Sequence, residues 1–360
     1  MAQQIDIPYN DINEFLLKFP FEDKQKYEWV IISGKSEIEK NKVYYGINPK
    51  DKEDVVYVKQ IFIKYSDNDK IKHSNIYKEI YLLFSLKQYK YFPKNVETLF
   101  SDDEELLYII FRKNNTDLKK LINYKIENYL NNPKLIKWII YQITFGLYTL
   151  HSNNIIHHDI KPSNILIDSK GDVSICDFGS AILKGEESYS FTLSYASPEF
   201  LIKHLKKTNV KIDEKYDMWS LGIIMLELFL KESIFNNENK SSKIIQLIDI
   251  YLKLGINEKN IDELILNLNE NQNLEIKFDE KILEKINDES AKDLLKKLLT
   301  FNPNDRISAK DVLNSPYLKD LKSLDSLDIK LFKFPKEYSD ICEKKLEHKK
   351  FVEILRGINN

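Results

Sequence analysis

Only two of the 360 residues are cysteines, Cys176 and Cys342. Two thiols make no disulfide framework, and they suit a reducing compartment. Cys176 stands in an apolar strand pattern directly before Asp177, so a packing role is expected of it. Long hydrophobic runs are missing as well. The most apolar stretch, Trp219–Leu230, is interrupted by Glu227 and is too short to cross a bilayer. The N-terminal MAQQIDIPYN has neither the basic nor the apolar region of a signal peptide. It also lacks the glycine that myristoylation needs, and Arg356-Gly357-Ile358-Asn359-Asn360 is no prenylation signal. These absences set the expectation of a cytoplasmic protein, with the nucleus left open and no membrane partner. An excess of one charge is missing too: 54 basic against 56 acidic residues leave a net charge of -2. That excludes a general polyanion-binding role, and the lysine-rich stretches, interleaved with acids, read as solvated faces. There is no internal repeat, no zinc-ligand spacing and no nucleic-acid motif, so no nucleic-acid partner is expected.

What remains is the composition of a soluble globular protein, 42% hydrophobic and 31% charged. The length exceeds what one core usually serves, so two lobes are expected. The most informative stretch is His157–Gly179, HHDIKPSNILIDSKGDVSICDFG. Asp159 is followed at fixed offsets by Lys161 and Asn164, and Asp177 comes later in Asp177-Phe178-Gly179. Between them the pattern predicts a hairpin. Ile165-Leu166-Ile167 is apolar, Asp168-Ser169-Lys170-Gly171 has turn chemistry, and Val173-Ser174-Ile175 alternates. A hairpin this short brings its two flanking acid clusters to one end.

These residue types fit phosphoryl transfer. A phosphorylated nucleotide carries about four negative charges and needs divalent metal to neutralise them. Mg²⁺ prefers hard oxygen ligands, which the Asp177 carboxylate and the Asn164 amide oxygen supply. A carboxylate kept off the metal, Asp159, suits acceptance of a hydroxyl proton. The neighbouring ammonium of Lys161 suits the charge of a phosphoryl group in flight.

With H-x-D-x-K-P-x-N and D-F-G both intact, the chain resembles the eukaryotic-type protein kinases. The resemblance covers about residues 27–318 and implies an α+β, bilobal fold. A small, mainly antiparallel β lobe with one key helix (27–111) precedes a larger, mainly helical lobe (117–318). An N-terminal extension (1–26) and a C-terminal tail (319–360) flank this domain. It further implies ATP and Mg²⁺ as cofactors and a protein substrate. Lys59, in the strand Val55–Lys59, matches the lysine of V-A-I-K that holds the α- and β-phosphates. Glu79, in a helix expected over Ile76–Leu86, is its partner. Gly34, Val43, Tyr57, Phe111 and Leu166 fall at nucleotide-lining positions. Asn164 and Asp177 fall at metal positions, and Asp159 and Lys161 at catalytic ones. Lys161 together with Thr192 resembles the serine/threonine-specific branch, in which the threonine positions Asp159 and Lys161.

Three departures from the family pattern stand out. The turn after Gly34 keeps one of three expected glycines and carries Glu37 and Glu39, although glycine lets backbone N–H groups approach phosphate. Weak ATP affinity is therefore expected. Tyr57 stands where the family has alanine, two residues from Lys59 on the same strand face. His158 stands where many members have an arginine that clamps a phosphate on the activation segment. Neutral histidine is a weak phosphate partner, so activation without that phosphorylation is expected.

The rest of the chain supplies structural expectations. Asp11–Phe19 suggests a short helix ended by Pro20, and Tyr27–Gly34 and Lys42–Gly46 suggest strands. Leu106–Phe111 is expected as the last small-lobe strand. Thr116 or Asp117 caps one helix, and Asn132-Pro133 opens another with Ile136, Ile139, Ile140, Ile143, Leu147 and Leu150 on its stripe. Asp217–Gly222 followed by Ile223–Leu230 is apolar nearly all round and should be buried, and the resemblance has Asp217 capping the backbone near His157. The resemblance places Arg306 against Glu199 as a buried ion pair. Lys243–Gly255 reads as helix, Ile256–Asp279 as an irregular insert, and Ala291–Leu299 and Ser308–Leu313 bracket Asn302-Pro303-Asn304-Asp305-Arg306. Glu337–Leu355 reads as an amphipathic helix, either packing back on the large lobe or serving as a partner-binding or autoregulatory tail. Two functions are carried forward: a protein serine/threonine kinase, and an inactive scaffold that keeps the fold.

Overall fold

The computed structural model describes residues 30–33, 42–48, 51–63, 70–94, 96–101, 103–112, 116–123, 130–168, 170–186, 192–205, 212–235, 280–321 and 348–358. The expectations for Asp11–Phe19, for Gly34 and the turn that follows it, for Lys243–Gly255 and for Ile256–Asp279 lie outside the described residues. The chain divides into two compact units, one of Met1–Asn115 with Phe332–Asn360, the other of Thr116–Leu331.

The first unit is built on a five-stranded antiparallel sheet. Its strands are β1 (Val30–Ser33), β2 (Lys42–Asn48), β3 (Asp51–Phe62), β4 (Val96–Phe100) and β5 (Leu106–Arg112), in the order β1-β2-β3-β5-β4. The register sets Lys59 between Val43 on β2 and Ile109 on β5, and Tyr57 between Tyr45 and Phe111. Alternation along β3 puts Val56 and Val58 into a cluster with Tyr108 and Ile110. Helix α1 (Lys70–Leu86) begins earlier than the apolar pattern suggested. β4 was not anticipated, although Val96, Thr98 and Phe100 alternate in the manner of a half-buried strand.

The second unit opens with β6 (Thr116–Asp117) and α2 (Leu118–Asn123). Asp117 Oδ1 accepts from the Lys120 main-chain N at 2.9 Å, which caps α2 as its sequence suggests. Helix α3 (Pro133–Ser152) is capped by Asn132, with proline in its first turn, and all six residues of its stripe are buried. Three strand pairs follow from β7 (Ile155–Ile156), β8 (Ile165–Ile167), β9 (Val173–Ile175) and β10 (Ile182–Leu183). β6, β8 and β9 form one small antiparallel sheet, and β7 pairs with β10. The β8–β9 turn works through Asp168, whose Oδ1 accepts from the main-chain N of Lys170 and Asp172 at 2.8 and 2.9 Å. Gly171 takes the φ of +84° that the turn demands.

Among the described residues, helices α4 (Pro198–Leu205), α5 (Lys215–Leu230), α6 (Glu280–Leu283), α7 (Glu289–Leu298) and α8 (Ala309–Leu313) follow in this unit. α5 is buried without interruption from Tyr216 to Leu228 and packs against α3 and α7. Its Gly222 lets α7 come close, because a Cβ there would lie 2.7 Å from Leu299 Cδ2. The chain's last helix, α9 (His348–Ile358), packs against α1 in the first unit. That corrects the reading of a tail helix lying back on the large lobe. Its apolar face of Phe351, Val352 and Leu355 is buried, while residues 337–347 of the expected helix lie outside the described residues.

Candidate active site

In the first unit the strand and the helix deliver one ion pair. Lys59 on β3 and Glu79 on α1 meet with Nζ and Oε1 2.5 Å apart. Their side chains are 18% and 6% exposed. An isolated strand lysine this enclosed would forfeit hydration, and the carboxylate offsets that loss. Phe111 stands half-buried on β5, and the backbone of Val43 lies directly opposite Lys59. Tyr57 is described by backbone position only, and Gly34 lies outside the described residues.

In the second unit the loop that begins at His157 is held by a buried carboxylate. Asp217, at the start of α5, accepts from the main-chain N of His157 through Oδ2 and of His158 through Oδ1, both at 2.9 Å. His151 Nε2 also lies 2.9 Å from Oδ2. Burial alone would push the Asp217 carboxyl up. The hydrogen bond and charge of His151, then the charge and main-chain N–H of His157, hold it below the usual aspartate value. The loop needs this support because His158 sits at φ +64°, a left-handed conformation uncommon for a residue with a Cβ. The His158 ring packs 4.4 Å from Tyr216 and 5.4 Å from Phe200, centroid to centroid, inside an aromatic box.

Three donors converge on Asp159. Thr192 Oγ1 donates to Oδ1 at 2.5 Å, Lys161 Nζ to Oδ2 at 2.6 Å and Asn164 Nδ2 to Oδ2 at 3.1 Å. Lys161 Nζ also reaches Thr192 Oγ1 at 2.9 Å, which closes a triangle of Asp159, Lys161 and Thr192. The carboxylate plane is thereby set from both sides. Asn164 donates in addition to the Asp159 main-chain O at 2.8 Å.

Asn164 and Asp177 occupy the same end of the β8–β9 hairpin. Ile165 pairs with Ile175, and the Cys176 main-chain N donates to Asn164 O at 3.0 Å. Asp177 takes φ +67° and ψ +77°, which turns the chain immediately after the strand. The two residues fit a hard divalent cation chemically. Asn164 commits Nδ2 to Asp159, which leaves its Oδ1 as the atom suited to ligate a metal, and Asp177 contributes a carboxylate. Leu166, on the intervening strand, is buried and faces Ser174 and Asp117 in register. Cys176 is buried beside this end, as its apolar setting suggests.

A second buried network escaped the sequence reading. Glu227, which there only interrupts an apolar helix, is 1% exposed on α5. It accepts from the Tyr195 hydroxyl at 3.1 Å, the Ser233 hydroxyl at 3.1 Å and the Ile234 main-chain N at 3.0 Å. Burial pushes its carboxyl up against those donors. A charge inside an all-apolar helical run was the available signal, since such a residue persists only with partners. Glu199 and Arg306 form the ion pair the resemblance placed there, with Nη1 and Nη2 each 2.8 Å from a carboxylate oxygen.

A model of the protein kinase domain matches residues 39–318. The chain therefore belongs to the protein kinase family, and its small antiparallel sheets with several helices are the α+β, bilobal kinase fold. Among the described residues no helix is long and apolar enough to cross a membrane.

Proposed function

We infer that the protein is an active serine/threonine kinase that transfers the γ-phosphoryl group of ATP to a protein hydroxyl. The observation that carries this reading is the closed triangle of Asp159, Lys161 and Thr192, with edges of 2.5, 2.6 and 2.9 Å. A fold-keeping scaffold has no need to hold a carboxylate, an ammonium and a hydroxyl in mutual contact.

In the proposed reaction Asp159 accepts the proton of the substrate hydroxyl as its oxygen bonds to the γ-phosphorus. The bond from that phosphorus to the β-phosphate oxygen breaks, and ADP leaves. Lys161 faces the transferring group with positive charge, and Lys59, held by Glu79, orients the α- and β-phosphates. Asn164 and Asp177 would hold Mg²⁺, which neutralises phosphate charge when bound. The combination of Lys161 with Thr192 resembles the serine/threonine-specific branch, which supports an aliphatic hydroxyl as the acceptor. His158, enclosed by Tyr216 and Phe200, supports activity without phosphate on the activation segment.

Incubation with γ-labelled ATP and a mixture of serine, threonine and tyrosine peptides tests the reading. Label on serine or threonine is expected, and label on tyrosine alone would overturn the specificity. The glycine-poor turn after Gly34 favours the scaffold reading instead. A folded protein that neither binds Mg²⁺·ATP nor transfers phosphate would establish it.

A further inference from the structure

The last helix and the Glu79 helix belong to one packed unit. α9 lies against α1, and α1 carries the carboxylate that holds Lys59. Phe351, Val352 and Leu355 are 0%, 1% and 1% exposed, while the neighbouring Lys350 and Glu353 are exposed. Their spacing puts the three apolar side chains on one face of the helix, so α9 is docked through that face. Its C-terminal end is tied separately. Arg356 Nη2 lies 2.8 Å from Glu104 Oε1, and the guanidinium stands 5.1 Å over the Phe100 ring. Glu104 and Phe100 belong to the β4–β5 hairpin, so α9 bridges α1 to the sheet's edge.

Helix α1 carries the mark of being enclosed. Ile76, Tyr77, Lys78, Glu79 and Ile80 are all buried in succession, and five consecutive residues occupy more than one complete turn. A helix lying on a sheet with its other side in water would alternate between buried and exposed faces. Lys78 at 3% and Glu79 at 4% are the residues such a helix would expose or leave adjustable. Packed against α9, α1 has less freedom to roll or slide, and rolling is what would carry Glu79 away from Lys59.

We propose that α9 is a positioning element for the phosphate-holding pair, with Phe351, Val352, Leu355 and Arg356 acting through α1 on Glu79 and so on Lys59. The proposal rests on the kinase reading only for its consequence in catalysis; the mechanical link between α9 and α1 stands apart from it. Loss of docking lets α1 populate positions in which Glu79 does not reach Lys59. Apparent affinity for Mg²⁺·ATP then falls by the fraction of molecules that remain competent. The rate of transfer at saturating nucleotide falls less, because Asp159, Lys161 and Thr192 belong to the other unit.

The test uses the full chain with Leu355→Asp, which puts a charge into the buried face, and Leu355→Met as the conservative counterpart. Arg356→Ala, at a half-exposed residue, serves where the aspartate variant fails to fold. Two readouts are taken: amide hydrogen exchange along α1, and Mg²⁺·ATP affinity with and without an added Glu79→Ala. Leu355→Asp is expected to raise exchange in α1 and weaken nucleotide binding about tenfold, corresponding to a drop of the competent fraction to about one in ten. Leu355→Met restores both. In the Glu79→Ala background the tail substitution has no further effect on affinity, whereas a merely structural role would keep it. Unchanged exchange in α1 overturns the proposal, as does an equal loss of affinity in the Glu79→Ala background. A wild-type protein that binds no nucleotide overturns the kinase reading, and exchange in α1 still decides this one.

Discussion

Thr192 donates its hydroxyl to Asp159 Oδ1 at 2.5 Å, across a separation of 33 residues. The contact ties the stretch that follows Asp177-Phe178-Gly179 to the proposed base. It also spends the hydroxyl on a structural task, because Lys161 Nζ reaches the same Oγ1 at 2.9 Å. Thr192→Ala removes the shared vertex and is expected to lower kcat by about 10²-fold through misplacement of the base. Thr192→Ser keeps the hydroxyl and restores most of the rate. Steady-state kinetics on a peptide substrate separate the two, with the KM for ATP little changed in either.

The His158 ring, boxed by Tyr216 and Phe200, is predicted to make activation-segment phosphate dispensable. Protein made without phosphorylation, or treated with a phosphatase, should transfer phosphate at the same rate as untreated protein. A rate that falls on phosphatase treatment and returns on rephosphorylation would show a clamp built from other residues.

The ion pair between Glu199 and Arg306 makes a prediction about stability. The Arg306 side chain is fully buried and that of Glu199 is 21% exposed. Removing either partner is expected to cost about 3–5 kcal/mol. Glu199→Ala is the milder change, because the main-chain carbonyls of Thr300, Lys215 and Phe301 still accept from the guanidinium. Arg306→Ala also loses the stacking over Trp219, 5.2 Å away. Denaturant titrations should show both midpoints lowered, with Arg306→Ala the lower.

Asp217 gives the account a pH dependence. Its folded carboxyl value lies below the ordinary one, so on acidification the unfolded chain takes up the proton first. The stabilisation is complete above the unfolded value of about 3.9 and is lost as pH falls through the folded value. Asp217→Asn removes this component. Its stability, although lower at neutral pH, should decline less steeply with acid than that of the wild type. Chemical denaturation at a series of pH values below 5, for both proteins, measures the two slopes.

Much of the second unit was legible because its motif residues fall at short range in the sequence. His157, Asp159, Lys161, Asn164 and Asp177 lie within one loop and one hairpin, and apolar alternation with an Asp–Gly turn predicts that hairpin directly. The buried helices were legible too, α3 from its stripe and its Asn132-Pro133 start, α5 from a sequence apolar nearly all round. The partners of Glu227 were not, because Tyr195 and Ser233 are distant or irregular in sequence and their hydroxyls have no periodic signature. The docking of α9 was not legible either. An amphipathic helix announces that it has a face to bury, yet its composition does not say against which element. The link from Arg356 to Glu104 and Phe100 chooses the small unit, and only tertiary structure supplies it.

The central claim is that Asp159, set by Thr192 and Lys161, acts as the base in phosphoryl transfer. The most direct measurement compares wild type with Asp159→Asn for Mg²⁺·ATP binding and for transfer to a generic protein substrate. The account predicts that both proteins bind nucleotide and that transfer falls by about 10²–10⁴-fold in the variant. Equal transfer by the two proteins, or none by a folded wild type that binds Mg²⁺·ATP in the presence of substrate, would contradict it.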